Sequence, residues 1–472
     1  DLDELTELNK SKIRDDYDII LSQLPQLQPI VAKKHFHETG TQRIYQRFCL
    51  VLTNVKKTVE EIVRLDLSSA SAGAFIFLCR TKEDSEKDFE EKLVELSQIK
   101  FPKPVIIGSS KNFNEFFNYA LEIAALKRVK STVTGIEGDS IAKKELKGRL
   151  NAYQNLLFNS LYLNFENASW TFNKEKLKEN NLSSIASNVC DKVFHLTPVI
   201  HNELVVRDKL SSMSMSGSAN LITLMLNKSN LKNLGMEGHP PEFGIYLSII
   251  KANNLHVKNG DEYEFTMEKT KNKNLRKMYE DFLSIIKKSK EAVSVSDIYA
   301  HFEKQPYGSK SGILPILLAV FFKSSEASCA FYNKDEQGRE SLITDFDQRI
   351  SERLYHLPET LKIMFVKIEG EKQVILNEFK SYVEKTFLNN KPIDNPTPLY
   401  VLKPIVVKAY KLPNYARKTR NFKDKRVLVL RDELLSTQNP YELLYKKIPE
   451  ICGTEDPKKL IKEFDKIYSQ LN

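Results

Sequence analysis

No two of the five cysteines, Cys49, Cys79, Cys190, Cys329 and Cys452, stand in a CxxC pair, and their number is odd. That disfavours a disulfide framework or a zinc site, and the expected state is reduced core thiols in a cytoplasmic protein. Long hydrophobic runs are missing as well. No stretch approaches the ~18 uncharged apolar residues of a membrane span, so no membrane partner is expected. The chain begins DLDELTELNK, without an initiating Met, a basic n-region or an apolar h-region. It therefore shows no secretory signal and is expected to be a piece of something longer. Net charge is modest, +9 from 71 Lys and Arg against 62 Asp and Glu. Only its distribution can say anything about partners.

What is present is enough chain for about three domains, at roughly 150 residues each. The spacing predicts a mixed α/β and mostly α protein: a small βαβ-type α/β domain, a helical bundle, a winged-helix-like domain and a C-terminal helical domain. Residues 1–135 hold an N-terminal helix and the α/β domain, whose strands are RIYQRFCLVL (43–52), GAFIFLCR (73–80) and KPVIIGSS (103–110). They alternate with the helical patterns TVEEIVRL, DSEKDFEEKLVELSQI and NFNEFFNYALEIAALKRV. A connecting helix is expected over 136–165, and a helical domain over 166–258 that opens on a strand or turn, SWTFNKEK. Four helical patterns follow there: SSIASNVCDKVFHL, PVIHNELVVRDKL, ANLITLMLNK and PPEFGIYLSIIKANNL. The winged-helix-like domain spans 259–370 and the basic helical domain 371–472.

Two glycine-bearing loops invite a phosphate-binding reading. A phosphate loop needs GxxxxGK[ST], because its backbone amides wrap the phosphates and the lysine directly after the last glycine reaches them. In QPYGSKSG (305–312) Ser309 separates Gly308 from Lys310, and Glu303 stands where the first glycine should be. That reading fails, and no other segment matches. GSSKN (108–112), after the third strand, could hold an anion at a helix N-terminus but has a single glycine and reads first as a strand-to-helix turn. The order around QPYGSKSG is helix LRKMYEDFLSIIKK, helix VSDIYAHFEK, helix ILPILLAVFFK, strand SCAFYN, turn, strand SLIT, which is that of a winged helix. In base-reading versions the third helix is polar. Here Ile313 to Phe322 is apolar all round, which predicts a buried helix and a packing or protein-docking module.

Charge concentrates in the last third. Between Lys403 and Arg426 stand nine Lys or Arg and one acid, Asp424. The candidate nucleic-acid residues are Tyr415, Arg417, Lys418, Arg420, Phe422, Lys423, Lys425 and Arg426, with a second cluster of Lys269, Lys271, Lys273, Arg276 and Lys277. Such patches hold DNA or RNA through phosphate neutralisation without reading sequence. A solvated face or a site for an acidic partner fits the same charges. Catalytic groupings are poor. His35 and His37 would share one face of a strand as a surface pair. A metal-dependent nuclease could use Asp261, Glu268 and Lys269, or Glu369, Glu371 and Lys372, although such triplets arise by chance in a chain with 28% charged residues.

Four segments, SNVCDKVFHLTPVIHNELVVRDKLSS (187–212), LGMEGHPPEFGIYLSIIKANNLH (234–256), QPYGSKSGILPILLAVFF (305–322) and LKPIVVKAYKLPNYARKTR (402–420), resemble the C-terminal parts of very large bacterial P-loop ATPases of anti-phage defence islands, such as the bacteriophage-exclusion ATPases. The resemblance covers roughly 180–455. It implies that ATP and Mg belong to an N-terminal region outside this chain, which holds no cofactor of its own. It further implies that this portion is non-catalytic, couples nucleotide state to DNA or to other defence-system subunits, and could self-associate. Asn202, Glu203 and Arg207 would then form a subunit interface, although Glu203 and Arg207 at i, i+4 also read as an ordinary intrahelical ion pair. A stand-alone nucleic-acid-processing enzyme and a purely structural assembly module are the rival readings.

Overall fold

The computed structural model describes residues 2–471 except 52–70, 82–83, 111–114, 134–137, 180, 290, 335–336, 339, 344–345, 367–369, 394–395 and 437–439. The expected helix TVEEIVRL, part of GSSKN and Glu369 lie outside the described residues. The protein is mixed α/β and predominantly helical, with three small sheets among the described residues. It divides into two compact units, 1–199 and 200–472.

The first unit is built on a six-stranded sheet in the order β1 (Ile30–Val31), β2 (Ile44–Val51), β3 (Gly73–Cys79), β4 (Val105–Ser109), β5 (Ser169–Phe172) and β6 (Glu175–Lys176). Its helices are α1 (Leu2–Ile13), α2 (Tyr17–Leu21), α3 (Lys33–Thr39), α4 (Glu86–Gln98), α5 (Phe116–Thr132), α6 (Ser140–Glu166) and α7 (Leu182–Val193). Strands β2 (Ile44–Val51), β3 (Gly73–Cys79) and β4 (Val105–Ser109) pair in parallel, as the alternation with helices predicts. Every residue of β3 is buried, which is why GAFIFLC is continuously apolar rather than alternating. Tyr45, Phe75 and Phe77 on one face meet α5, α6 and α7, while Leu50, Ile76 and Leu78 on the other pack with Phe89 and Leu96 of α4.

Two sequence boundaries move. The helix expected as a connector is α6, capped by the Asp139 carboxylate at the Ile141 and Ala142 amides. Leu157, Leu161 and Phe165 put it in the core of this unit. SWTFNKEK opens no new domain. It makes β5 (Ser169–Phe172) and β6 (Glu175–Lys176), and β5 adds antiparallel to β4. The pairing sets Trp170 opposite Gly108, where a Cβ would sit 2.2 Å from the indole. Gly108 is thus required by the ring packed on it, and phosphate approach need not be invoked.

The second unit begins with a turn-rich segment. Residues 201–210 are not helical, because their backbone is engaged elsewhere: the Gly312 amide donates to the Arg207 carbonyl at 3.0 Å, and the Ser311 hydroxyl to that of Asp208 at 2.8 Å. Tertiary bonds override the helical pattern here. Then come α8 (Ser212–Asn227), α9 (Pro241–Ile245), which continues as a π turn through Lys251, and the hairpin β7 (His256–Asn259) with β8 (Glu262–Phe265). Next are α10 (Lys273–Lys288), α11 (Val295–Glu303) and α12 (Leu314–Ser324). A four-stranded sheet follows in the order β11-β10-β12-β9, from Val293–Ser294 (β9), Cys329–Lys334 (β10), Glu340–Leu342 (β11) and Leu361–Phe365 (β12). Helix α13 (Gln348–His356) joins its last two strands in sequence. Leu314 through Phe322 are all buried, so α12 is enclosed on every side, as its composition predicts.

The C-terminal bundle contains α14 (Glu371–Thr386), α15 (Pro398–Tyr410), α16 (Asn414–Lys418), α17 (Lys425–Ser436), a helix over 440–452 with a π turn at Leu443–Lys447, and α18 (Pro457–Tyr468). Phe379, Ile405, Leu430 and Phe464 centre its core.

Candidate nucleic-acid interface

The basic run crosses the link from α15 through α16 into α17. Lys411, Arg417, Lys418, Arg420, Lys423 and Lys425 are exposed, and none makes an ion pair with a described residue. Among the described residues the Arg417 guanidinium reaches the Asn414 side chain alone, at 2.5 Å. The one acid of the run is taken: Asp424 binds Arg426 at 2.8 Å, and Arg426 also meets Glu463 at 3.3 Å. The Arg426 guanidinium beside Asp424 holds that carboxyl below the usual carboxylate range. Arg426 therefore already has two carboxylate partners, unlike those six cations.

Phe422 is engaged as well. The ring is half-buried against the bundle core and lies under the Arg431 guanidinium, 5.7 Å from its centroid. Tyr415 is instead 81% exposed. The residue that organises this surface was not singled out from the sequence. Arg431 is buried at 4% exposure, pairs with Asp432 at 2.7 Å, and donates to the carbonyls of Ala416 and Thr419. It ties down the turn carrying Arg417, Lys418 and Arg420. Its signal was present in RVLVLRDELL, where Arg431 shares the apolar face of Val427, Leu430 and Leu434.

The second cluster is weaker than its charge count. Lys269, Lys271 and Lys273 are exposed, but Lys277 pairs with Asp281 at 2.8 Å and Arg276 donates to the carbonyls of Glu268 and Thr270, at 3.1 and 2.6 Å. Two of its five cations thus serve the N-terminal half of α10.

The expected interface residues do not form a helical face. Asn202 donates to the Ser248 hydroxyl at 2.7 Å and accepts from the Leu204 amide at 3.0 Å, so it shapes the turn. Glu203 and Arg207 are exposed and do not pair with each other. The glycine-lysine-serine loop turns out to serve this segment. Lys310 pairs with Asp208 at 2.7 Å, and a Cβ on Gly312 would meet the Val205 and Arg207 carbonyls at 2.6 Å. Residues 305–312 are the clasp of a neighbouring loop, which explains a phosphate-loop composition without phosphate-loop spacing.

His35 and His37 stand on helix α3, where the sequence suggested a strand; Gly40 at φ 76 ends the helix. His37 is exposed and His35 fully buried. Because Arg43 must donate, its Nε makes His35 Nε2 an acceptor at 3.1 Å, so Nδ1 carries the proton and donates to Asp191 at 2.7 Å. Arg43 also donates to Thr197 at 2.8 Å and stacks on Phe194, 3.8 Å from its centroid. Among the described residues the imidazole's hydrogen-bond partners are Asp191 and Arg43, neither of them a nucleophile poised by it, and burial pushes the nearby Cys190 thiol up to about 11. The grouping is a lock between α3, β2 and α7. His256 is similar, held between the Tyr246 hydroxyl at 2.9 Å and the Ser229 carbonyl at 2.7 Å.

Burial pushes both histidines below their ordinary value; around His35 the Asp191 carboxylate opposes this and the Arg43 cation adds to it. The unfolded chain therefore binds protons that the folded chain refuses. The stability these residues contribute is complete above the unfolded value of about 6.5 and is lost as pH falls below it, with a slope approaching about 1.4 kcal/mol per pH unit for each histidine. Thermal unfolding followed by Trp170 fluorescence, which reports the first unit because this is the chain's one tryptophan, should show Tm falling as pH drops below about 6.5. His35→Gln should flatten that profile; an unflattened one would show that the lock does not carry it.

The nuclease triplets gain nothing from the fold. Asp261 lies at the β7–β8 turn with Glu268 and Lys269 exposed beyond β8, and Glu371 and Lys372 are exposed at the start of α14. Among the described residues no group of three His, Cys, Asp or Glu could hold a metal ion. No helix there is long and apolar enough to cross a membrane. Neither a family model, a curated protein nor a solved structure matches the chain.

Proposed function

We propose that this chain is a non-catalytic, nucleic-acid-holding portion of a larger bacterial anti-phage defence ATPase, and that the C-terminal bundle grips the polymer by its phosphates. The observation that carries the binding half is the surface from Lys411 to Lys425. Six exposed cations there lack ionic partners among the described residues, the one acid of the run is occupied by Arg426, and Arg431 fixes the turn beneath. Cations held on a rigid turn lose little conformational freedom on meeting phosphates, and each phosphate they neutralise releases counterions. The defence-ATPase half rests on the sequence resemblance. ATP and Mg would be bound by an N-terminal region, with no cofactor required of these residues.

Within this reading, 273–365 serves as a winged-helix-like module, with α10, α11 and α12 in order and β10–β11 as the wing. The enclosure of α12 supports protein docking over base reading, with another defence subunit or a second copy of the chain as the partner. Five free cysteines are in keeping with a cytoplasmic setting.

Changing Arg417, Lys418 and Arg420 together to Ala should weaken binding about equally across sequences. The slope of log affinity against log salt should fall by roughly one unit for each phosphate no longer neutralised. Anisotropy titrations at several salt concentrations, in wild type and the triple variant, measure this. An unchanged slope would return these charges to solvent or to a protein partner.

A further inference from the structure

Resting on that reading, we infer that the partner is single-stranded nucleic acid, with bases stacked on Tyr410 and Tyr415. Cations alone fit any polyanion, but these cations are flanked by two exposed aromatic rings. Tyr410 is 53% and Tyr415 81% exposed. Their surroundings differ usefully. The Tyr410 hydroxyl donates to the Leu435 carbonyl at 2.6 Å, which fixes the orientation of the ring while leaving much of it uncovered. Tyr415 stands on α16, shortly before Arg417 and Lys418, on the turn that Arg431 ties down.

The two rings stand five positions apart in the chain, so their Cα atoms cannot lie more than roughly 18 Å apart, within the reach of a short run of nucleotides. In the chain Lys411 follows the first ring, and Arg417, Lys418 and Arg420 follow the second. A duplex, whose bases are already stacked, gives such rings nothing to cover. Unpaired bases do, through either face, and without regard to sequence. Phe422, which the sequence placed beside Tyr415 as a second platform, is packed away; Tyr410 takes its place.

The test uses the full chain and a fluorescein-labelled oligo-dT of about 20 nucleotides beside a duplex of the same length. Replacing both rings, Tyr410→Leu with Tyr415→Leu, should lower single-strand affinity by roughly 5- to 150-fold per stacked base, and should change duplex affinity less than about twofold. Tyr415→Phe, which keeps a ring, should retain the affinity. Circular dichroism of each variant checks that the bundle is intact. Unchanged single-strand affinity in the double variant, while the triple cation variant still weakens binding, would overturn the stacking inference and leave phosphate gripping standing. Wild type that binds neither oligonucleotide would overturn both.

Discussion

Leu317→Asp should unfold the region around α12, seen as a loss of helical circular dichroism and of a cooperative transition in the second unit. Leu317 is 1% exposed and belongs to a helix whose residues Leu314 to Phe322 are all buried. Phe321 packs on Phe282 of α10 at 5.6 Å between centroids, and Phe322 on Phe331 of β10 at 4.7 Å. An aspartate there would sit in a helix whose residues Leu314 to Phe322 are all buried and apolar. An unpaired buried charge costs several kcal/mol, a large share of the roughly 5–15 kcal/mol that stabilises a typical domain. Leu317→Ala gives the graded control, with a cost of about 2–5 kcal/mol from the smaller buried surface and the cavity it leaves. Soluble, cooperatively unfolding Leu317→Asp protein with altered nucleic-acid affinity would put this helix at a surface, and the docking role proposed for the module would fall.

That helix was legible because a continuous apolar run has one physical solution, enclosure. The same holds for β3, whose unbroken GAFIFLC requires cover on both faces. Legibility failed where long-range bonds competed with local pattern. The segment from Asn202 to Leu210 has helical spacing, yet Gly312, Ser311 and Lys310 claim its carbonyls and its Asp208 carboxylate from about a hundred residues away. KKHFHET reads as a strand by its alternating histidines, but only the fold supplies the Asp191 and Arg43 partners that draw His35 inside.

The basic surface was half legible for a related reason. Counting charges locates the run but cannot tell an occupied cation from a free one. Arg426 with Asp424 and Glu463, Lys277 with Asp281, and Arg276 with two carbonyls became visible as occupied only through their geometry. Arg431 shows the converse. A lone arginine on the apolar face of a helix signals an anchor, since a buried guanidinium must find acceptors, and those acceptors form the turn that presents the free cations.

His35→Ala should destabilise the first unit by about 1–3 kcal/mol, because it takes one acceptor away from the buried Arg43 guanidinium. Arg43 is 3% exposed and donates to the imidazole, which accepts from it on one side and donates to Asp191 on the other. Thr197 remains as a partner, but a neutral hydroxyl does not replace a chain that ends in a carboxylate. Asp191→Asn should cost less, since the Asp191 side chain is 40% exposed and water can reach it. The pair His35→Leu with Arg43→Met removes the charge along with its acceptor and keeps apolar volume over Phe194. It should recover much of the loss, since replacing both members of a buried polar pair is often near neutral. Chemical denaturation followed by Trp170 fluorescence measures all three, because the indole packs on Phe75 and Phe165 in the same core. A double variant as unstable as the sum of its single substitutions would mean that the two side chains act separately, and that the imidazole is not the bridge between cation and carboxylate.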